Sequence, residues 1–327
     1  MHPGAPLLVL SADDVERLFT LDRAIASQRE AFTALGLGSA VLPPRLLVPG
    51  GSGTVAFCYA ARLSPGGAAV SKFGSVHPGN AALGLPTVNA LVTVLSAETG
   101  QPVAVMDGTS VTTIRTSAAS AVAASALARR GSRALAVLGS GVQARAHASA
   151  LARLLDLTDV RIWSPDRGHR EALARLLTTT GRDLAARATE SAQDAVAGAD
   201  LVACCTTSCT PVLEVGWLAE GATVISVGLF SPDRSEVPVA LVRQAAAVVV
   251  DDVATALEDA GPIVAATAAD PGFAARLIPL GTVVAGRGQA RRSDSDLVFY
   301  NSVGLGVQDA AAALAIVAAA RAEGRCG

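Results

Sequence analysis

The pattern of apolar and polar positions changes once along the chain, near Arg133. Before that point, short apolar or alternating runs cover residues 46–48, 55–61, 68–76 and 87–95. Glycine and proline separate them, in Pro65-Gly66-Gly67, His77-Pro78-Gly79-Asn80 and Glu98-Thr99-Gly100. Runs of this length bounded by turn residues predict strands, and the short connections predict a largely antiparallel sheet. Ahead of them, residues 7–10 read as a short strand. Ser11, with Asp13 and Asp14, can cap a helix beginning near Val15 and supply the acidic first turn that a helix dipole favours. Residues 21–35 carry helical spacing up to Gly36, and residues 118–130 predict an alanine-rich helix.

After Arg133, strands alternate with helices: strands at 134–138, 159–163, near Ala186, at 201–205, 223–227 and 246–251, and helices at 142–155, 169–178 and 191–197. That alternation predicts a parallel, doubly wound sheet ending near Val298. A last helix over 307–320 should pack back on the N-terminal part and make the first domain discontinuous. No internal repeat or long linker interrupts this plan.

The first strand of the second part runs into Gly139-Ser140-Gly141-Val142-Gln143-Ala144. Gly139 permits a tight turn, Gly141 lets backbone approach a pyrophosphate, and Ala144 is small enough for close packing of helix on sheet. The following helix N-terminus favours phosphate charge. A strand before the glycines and a helix after them make this a dinucleotide site of the Rossmann kind. The second strand ends at Ser164, where a site for NAD would place an acid; Arg167 follows, with Arg170 one turn on. Serine with arginine suits a 2′-phosphate, so NADP(H) is favoured over NAD(H), Asp166 being the rival. The fold class is therefore α/β: a Rossmann doubly wound domain over 131–300, and a discontinuous α+β domain over 1–130 with 301–327.

Composition narrows the function. The 327 residues are 51% hydrophobic and 17% charged, with formal net charge −2 and 3% aromatics. No basic block or aromatic interleaving supports nucleic-acid binding. No apolar stretch reaches transmembrane length: residues 310–320 are too short, bracketed by Gln308, Asp309 and Arg321. The N-terminus lacks the basic and apolar regions of a secretion signal. Cys58, Cys204, Cys205, Cys209 and Cys326 read as reduced thiols in a cytoplasmic protein; without a Cys-x-x-Cys pair or a nearby histidine, no metal site is expected.

Of the 26 lysine and arginine residues, Lys72 alone is lysine. Arginine stays protonated at any accessible pH, whereas a lysine amine can surrender or take a proton once buried. Lys72 lies in an apolar, strand-like run, where an unpaired amine would be costly. Arg45, behind two prolines, and Arg115, at the head of a small-residue stretch, are the other notable cations in apolar surroundings. Two guanidiniums and an ammonium that converge would hold an α-carboxylate.

These segments resemble a known family. Lys72-Phe73-Gly74-Ser75-Val76-His77-Pro78-Gly79-Asn80, Gly84-Leu85-Pro86-Thr87, Met106-Asp107-Gly108-Thr109 and Arg115-Thr116-Ser117-Ala118-Ala119-Ser120 look like the ornithine cyclodeaminase/mu-crystallin family. The likeness continues in order through the Gly139 turn, Val227-Gly228, Pro232-Asp233, Val249-Val250-Asp251-Asp252 and Ser302-Val303-Gly304-Leu305-Gly306. It implies a homodimer built on the sheet of the N-terminal domain, which also supplies substrate residues. It implies Arg45, Lys72 and Arg115 as the carboxylate-binding and catalytic cations. It implies cofactor contacts from Thr87, Val142, Gln143, Thr206, Ser226, Val227, Arg234 and Ser302, and a substrate pocket that includes Phe230 and Val303. Phe230 stands where cyclodeaminases carry an aspartate, which a phenyl ring cannot replace, so the likeness favours an NAD(P)H-dependent imine reductase or amino-acid dehydrogenase. An ornithine or lysine cyclodeaminase that releases ammonia is one alternative, and a non-catalytic protein that binds NADP and a small ligand is another.

Overall fold

A computed structural model describes residues 7–179, 184–227 and 231–325. The chain forms two compact units, Met1–Ala119 with Leu305–Gly327, and Ser120–Gly304.

The first unit contains β1 (Leu8–Leu10), α1 (Ala12–Leu18), α2 (Leu21–Leu37), β2 (Leu46–Pro49), β3 (Val55–Ala61), β4 (Val70–Val76), β5 (Val88–Leu95), β6 (Pro102–Asp107), the start of α3 (Gly108–Leu127) and the chain's last helix, α11 (Gly306–Ala322). Its six-stranded sheet has the order β1-β6-β5-β4-β3-β2 and is antiparallel except for the β1–β6 pair. Alternation along the strands splits the sheet into two faces. One face buries Phe57, Tyr59, Val70, Lys72, Val92, Val94, Ala104 and Met106, and α11 packs across β3, β4 and β5 and against α2. The other carries Leu46, Cys58, Phe73 and Leu91 in register across four strands, with Phe73 61% and Leu91 55% exposed.

The helices at the start follow their caps. Ser11 and Asp14 form a reciprocal capping box on α1. Helix α2 passes Gly36 and stops at Gly38, whose left-handed φ of 72° ends it.

Two elements of this unit differ most from the sequence reading. Helix α3 begins at Gly108, ten residues ahead of the predicted start. Asp107 accepts the Ser110 N–H at 2.7 Å, and the hydroxyls of Thr112, Thr113 and Thr116 each donate to the carbonyl four residues back. Those bonds satisfy threonines whose type argues against helix. Strand β6 lies in a stretch that the turn signals leave unassigned; β1 and β5 complete its ladder.

The second unit contains β7 (Ala134–Leu138), α4 (Val142–Leu155), β8 (Asp159–Trp163), α5 (Arg167–Thr178), β9 (Ala185–Ala188), α6 (Ala192–Val196), β10 (Leu201–Cys204), β11 (Thr223–Ser226), α7 (Val239–Gln244), β12 (Ala247–Val250), α8 (Val253–Asp259), α9 (Gly261–Ala269), β13 (Leu277–Pro279), α10 (Leu280–Val284) and β14 (Val298–Asn301). All eight strands pair in parallel, in the order β13-β12-β14-β11-β10-β7-β8-β9. The central strands β7, β10, β11, β12 and β14 are buried on both faces, which is why they read as continuous apolar runs. The order reverses at β7, with β8 and β10 leaving it in opposite directions, and such a switch point opens a crevice at the carboxyl ends of the strands.

Candidate active site

In the first unit, the pleat of β4 turns Lys72 to the covered face of the sheet, where its side chain is 2% exposed. Its amine lies 2.7 Å from Asp309 Oδ2 on α11 and donates to Thr112 Oγ1 on α3 at 3.3 Å. The rings of Tyr59 and Phe57 on β3 stand with centroids 4.9 and 5.9 Å from it. Arg115, also buried, gives its Nε to Asp309 Oδ1 at 3.1 Å and its Nη1 to Gln308 Oε1 at 3.3 Å. Asp309 therefore bridges the two cations. Arg45, half-buried just ahead of β2, donates to the Tyr59 hydroxyl at 3.5 Å and lies over the same ring. Tyr59 thus stands between Arg45 and Lys72, and the three cations form one cluster.

The electrostatics of the cluster follow from its dryness. Burial pushes the Lys72 amine down from its usual 10.5 to about 8; the Asp309 carboxylate opposes that shift and the Arg115 guanidinium adds to it. Desolvation dominates, in line with the expectation that burial frees this amine to exchange a proton. Burial also raises the Tyr59 phenol.

Asp309, Gln308, Tyr59 and Thr112 have no role in the sequence reading. Asp309 had a signal in it: an acid one turn into an otherwise apolar helix must be paired if that helix is buried.

In the second unit, Gly139 has φ +119°, and a Cβ there would sit 2.6 Å from the Cys205 carbonyl oxygen. Only glycine fits this turn. Gly141 is the N-cap of α4 and supplies no side-chain cap; a Cβ on it would meet nothing within 4 Å. The first turn of α4 therefore has no side-chain cap on its N–H groups. Ala144 is buried, Val142 is exposed, and the Gln143 side-chain carbonyl is buried without a partner among the described residues. Uncapped donors at a helix N-terminus, an open glycine and an orphaned acceptor fit the pyrophosphate and ribose of a dinucleotide.

Two buried carboxylates tie the carboxyl ends of the strands together. Glu236 accepts from Thr206 N and Oγ1, both at 2.8 Å, from Ser226 Oγ at 3.0 Å and from Val227 N at 3.1 Å. Asp251 accepts from Ser302 Oγ and Val303 N at 3.0 Å, from Gly304 N at 2.8 Å and from the Tyr300 hydroxyl. Thr206, Ser226, Val227, Ser302 and Val303 are thereby gathered at one edge and held by these acids, which the sequence reading did not single out as site residues. Arg234 is exposed after β11, and Thr87, in the first unit, is exposed ahead of β5. Phe230 lies outside the described residues.

At the end of β8, the Ser164 hydroxyl donates to the Asp166 carbonyl at 3.1 Å, and its own carbonyl accepts from Arg170 at 3.0 Å. The Asp166 carboxylate caps α5 through His169 N at 2.7 Å. Arg167, 71% exposed, pairs with Glu171 at 2.8 Å. A groove of about 780 Å³ beside them is lined by Trp163, Pro165, Glu190, Thr206, Thr207 and Trp217.

A Rossmann unit with an open phosphate turn, in one chain with a buried lysine–arginine cluster, defines a class: nicotinamide-dependent proteins that handle carboxylate-bearing small molecules. The chain belongs to the ornithine cyclodeaminase/mu-crystallin family, which it matches over residues 7–324. It is 33% identical to an alanine dehydrogenase of Archaeoglobus fulgidus over 306 residues, 94% of this chain and 92% of that one. Its fold matches the Thermococcus litoralis Delta(1)-pyrroline-2-carboxylate reductase in complex with NADH and L-proline, with TM-score 0.91 and 30% identity, over 97% of this chain and 98% of that one. It matches equally an archaeal alanine dehydrogenase dimer with bound NAD, with TM-score 0.91 and 31% identity over 98% of each chain.

Proposed function

We propose that the protein is a nicotinamide-dependent oxidoreductase that reduces the C=N bond of an α-imino acid, or runs the reverse oxidation of the amino acid. The observation that carries this reading is the buried Lys72 amine, poised at about 8 and clustered with Arg45 and Arg115. Such a cluster suits a carboxylate and a basic nitrogen on the same small molecule. The relatives support the reaction type: an alanine dehydrogenase and a pyrroline-2-carboxylate reductase bound to NADH and proline.

Arg45 and Arg115 bind the α-carboxylate, and their fixed forks orient the α-carbon. The Lys72 Nζ–H bond breaks as the imine nitrogen gains its proton, which makes the neighbouring carbon electrophilic. A reduced nicotinamide, when bound, supplies the hydride and its electron pair to that carbon. Gly139, Gly141, Val142, Gln143 and Ala144 form the cradle for the pyrophosphate. Ser164 and Arg167 face the adenosine ribose, and Thr206, Ser226, Val227, Arg234, Ser302 and Thr87 complete the cofactor contacts. Val303 is assigned to the substrate pocket, and phenylalanine at position 230 in place of the cyclodeaminase aspartate favours a substrate with an apolar or cyclic side chain.

The cofactor is NADP(H) in preference to NAD(H). Asp166 is committed to capping α5, which leaves no acid at the end of β8 to hold a ribose diol. The Arg167–Glu171 pair is exposed to solvent and weak, so Arg167 can turn to a 2′-phosphate at little cost. The protein is a cytoplasmic homodimer formed through the exposed Leu46–Phe73–Leu91 face.

The test is cofactor oxidation by the purified protein with cyclic imino acids, and with α-keto acids plus ammonia or methylamine. Turnover of at least one imine, faster with NADPH than with NADH, is the expected result. Tight NADPH binding with no oxidation on any substrate would defeat the enzymatic reading.

A further inference from the structure

Burial and the Arg115 guanidinium both drive Lys72 to lose its proton, yet a proton donor must hold one until the imine is in place. Something in the pocket has to retain it. The groups that face the amine are few. From β3 come the Tyr59 and Phe57 rings, with Arg45 reaching the far side of Tyr59. From β5 comes Val92, the register partner of Lys72. From α3 come Thr112 and Arg115, and from α11 Gln308 and Asp309. The carboxylate that acts on the amine is that of Asp309.

We propose that Asp309 is a positioning residue that keeps the Lys72 ammonium both loaded and aimed, by clamping it 2.7 Å from one carboxylate oxygen while Arg115 holds the other at 3.1 Å. This inference rests on the imine-reductase reading of the same cluster.

The clamp is built to resist motion. Asp309 is buried in the first turn of α11, where the helix N-terminus stabilises its negative charge. Its neighbour Gln308 is fixed through its side-chain oxygen, which accepts from Leu305 N at 2.7 Å and from Arg115. Thr112 donates its own hydroxyl to the Gly108 carbonyl at 2.7 Å, so towards Lys72 it acts as an acceptor. Thr112 thus takes one of the ammonium's N–H directions and Asp309 Oδ2 stands beside it as an ion-pair partner at 2.7 Å, which leaves an N–H for the proton to be given. Arg115 offers Nε and Nη1 to α11, which leaves Nη2 for the substrate carboxylate. Asp309 therefore counts in both halves of substrate recognition without touching substrate.

The single lysine makes a direct test possible. Protein carrying 13Cε-labelled lysine gives one lysine resonance, whose titration reports Lys72 without cofactor or substrate. Asp309→Asn should lower the midpoint by about one pH unit or more, the usual effect of losing an opposite charge at this range. The alkaline limb of imine reduction should fall by the same interval. The acid limb of amino-acid oxidation should move with it, so that for a shift of about one unit reduction at pH 7 drops about twofold while oxidation at pH 7 rises about fivefold. A folded Asp309→Asn protein with an unmoved lysine titration and unmoved limbs would overturn the proposal. If that variant does not fold, Asp309→Glu decides. It keeps the charge but displaces it by a methylene, so kcat should fall about tenfold or more with little change in KM and with the lysine midpoint near wild type. Wild-type kcat in Asp309→Glu would refute the aiming role. A shifted lysine titration in a protein that reduces no imine would defeat the functional reading and leave the clamp standing.

Discussion

At the Lys72 amine two opposing energies nearly cancel. Desolvation favours the neutral form, and a carboxylate at 2.7 Å favours the charged one. The balance, about 8, places the amine where it can give or accept a proton near neutral pH. Imine reduction uses the ammonium, so its rate should be full below about 8 and decline as pH rises through that value. Amino-acid oxidation uses the free amine and should show the mirror-image limb. Initial rates in both directions across pH 6–10 check this; parallel limbs in the two directions would count against a proton role for Lys72. The cations themselves were legible in the sequence, because one lysine under an arginine bias, in an apolar run, has few structural reasons to exist. Their acidic partner was not, because Asp309 sits at the edge of an apolar helix and looks like a solvated boundary until α11 is laid on the sheet.

The Gly139–Ala144 turn shows how an element carries function through its backbone. Gly139 cannot accept a Cβ and Gly141 can, so the two glycines serve different ends: one shapes the turn, the other leaves room before the helix. Gly141→Asp should therefore fold with an unchanged melting temperature and bind the cofactor at least about tenfold more weakly, since a carboxylate at an anion site repels phosphate. Isothermal titration with NADPH and NADH measures it; undiminished affinity would place the pyrophosphate elsewhere. Likewise, Glu236→Ala unties the ends of β10 and β11 and leaves buried donors unmatched, at a cost of about 1–3 kcal/mol that denaturant unfolding would show. Elements of this unit with strong apolar runs, such as β7, α4 and β8, are plain in the sequence. Short pieces such as α7, α10 and β13 are not: their few residues carry no periodicity, and tertiary packing decides their conformation. Helix α3 fails for a different reason, since its threonines favour strands by type and become helical only by bonding back to their own backbone.

At the scale of the molecule, the six-stranded sheet exposes Leu46, Phe73 and Leu91 in a contiguous row, with β4 and β5 paired at Phe73 and Leu91. An apolar face of this kind marks an association surface. Phe73→Asp should convert a dimer to a monomer on light scattering while leaving the far-ultraviolet spectrum intact. Dimer at every concentration would assign the interface to another surface. The change in alternation near Arg133 and the apolar final helix predict two parts, the first of them interrupted, whereas contacts divide the chain inside α3, after Ala119; which face of the sheet is left uncovered is not legible, because alternation alone does not say which side the helices take.

The most direct test of the whole account sets wild type beside Lys72→Arg in the reduction of a cyclic α-imino acid, with cofactor affinity measured on the same preparations. A proton-donating Lys72 requires turnover by the wild type, a loss of about 10²-fold or more in the variant, and nearly equal cofactor dissociation constants, because guanidinium keeps the charge but does not release its proton. Equal turnover by the two proteins would contradict it.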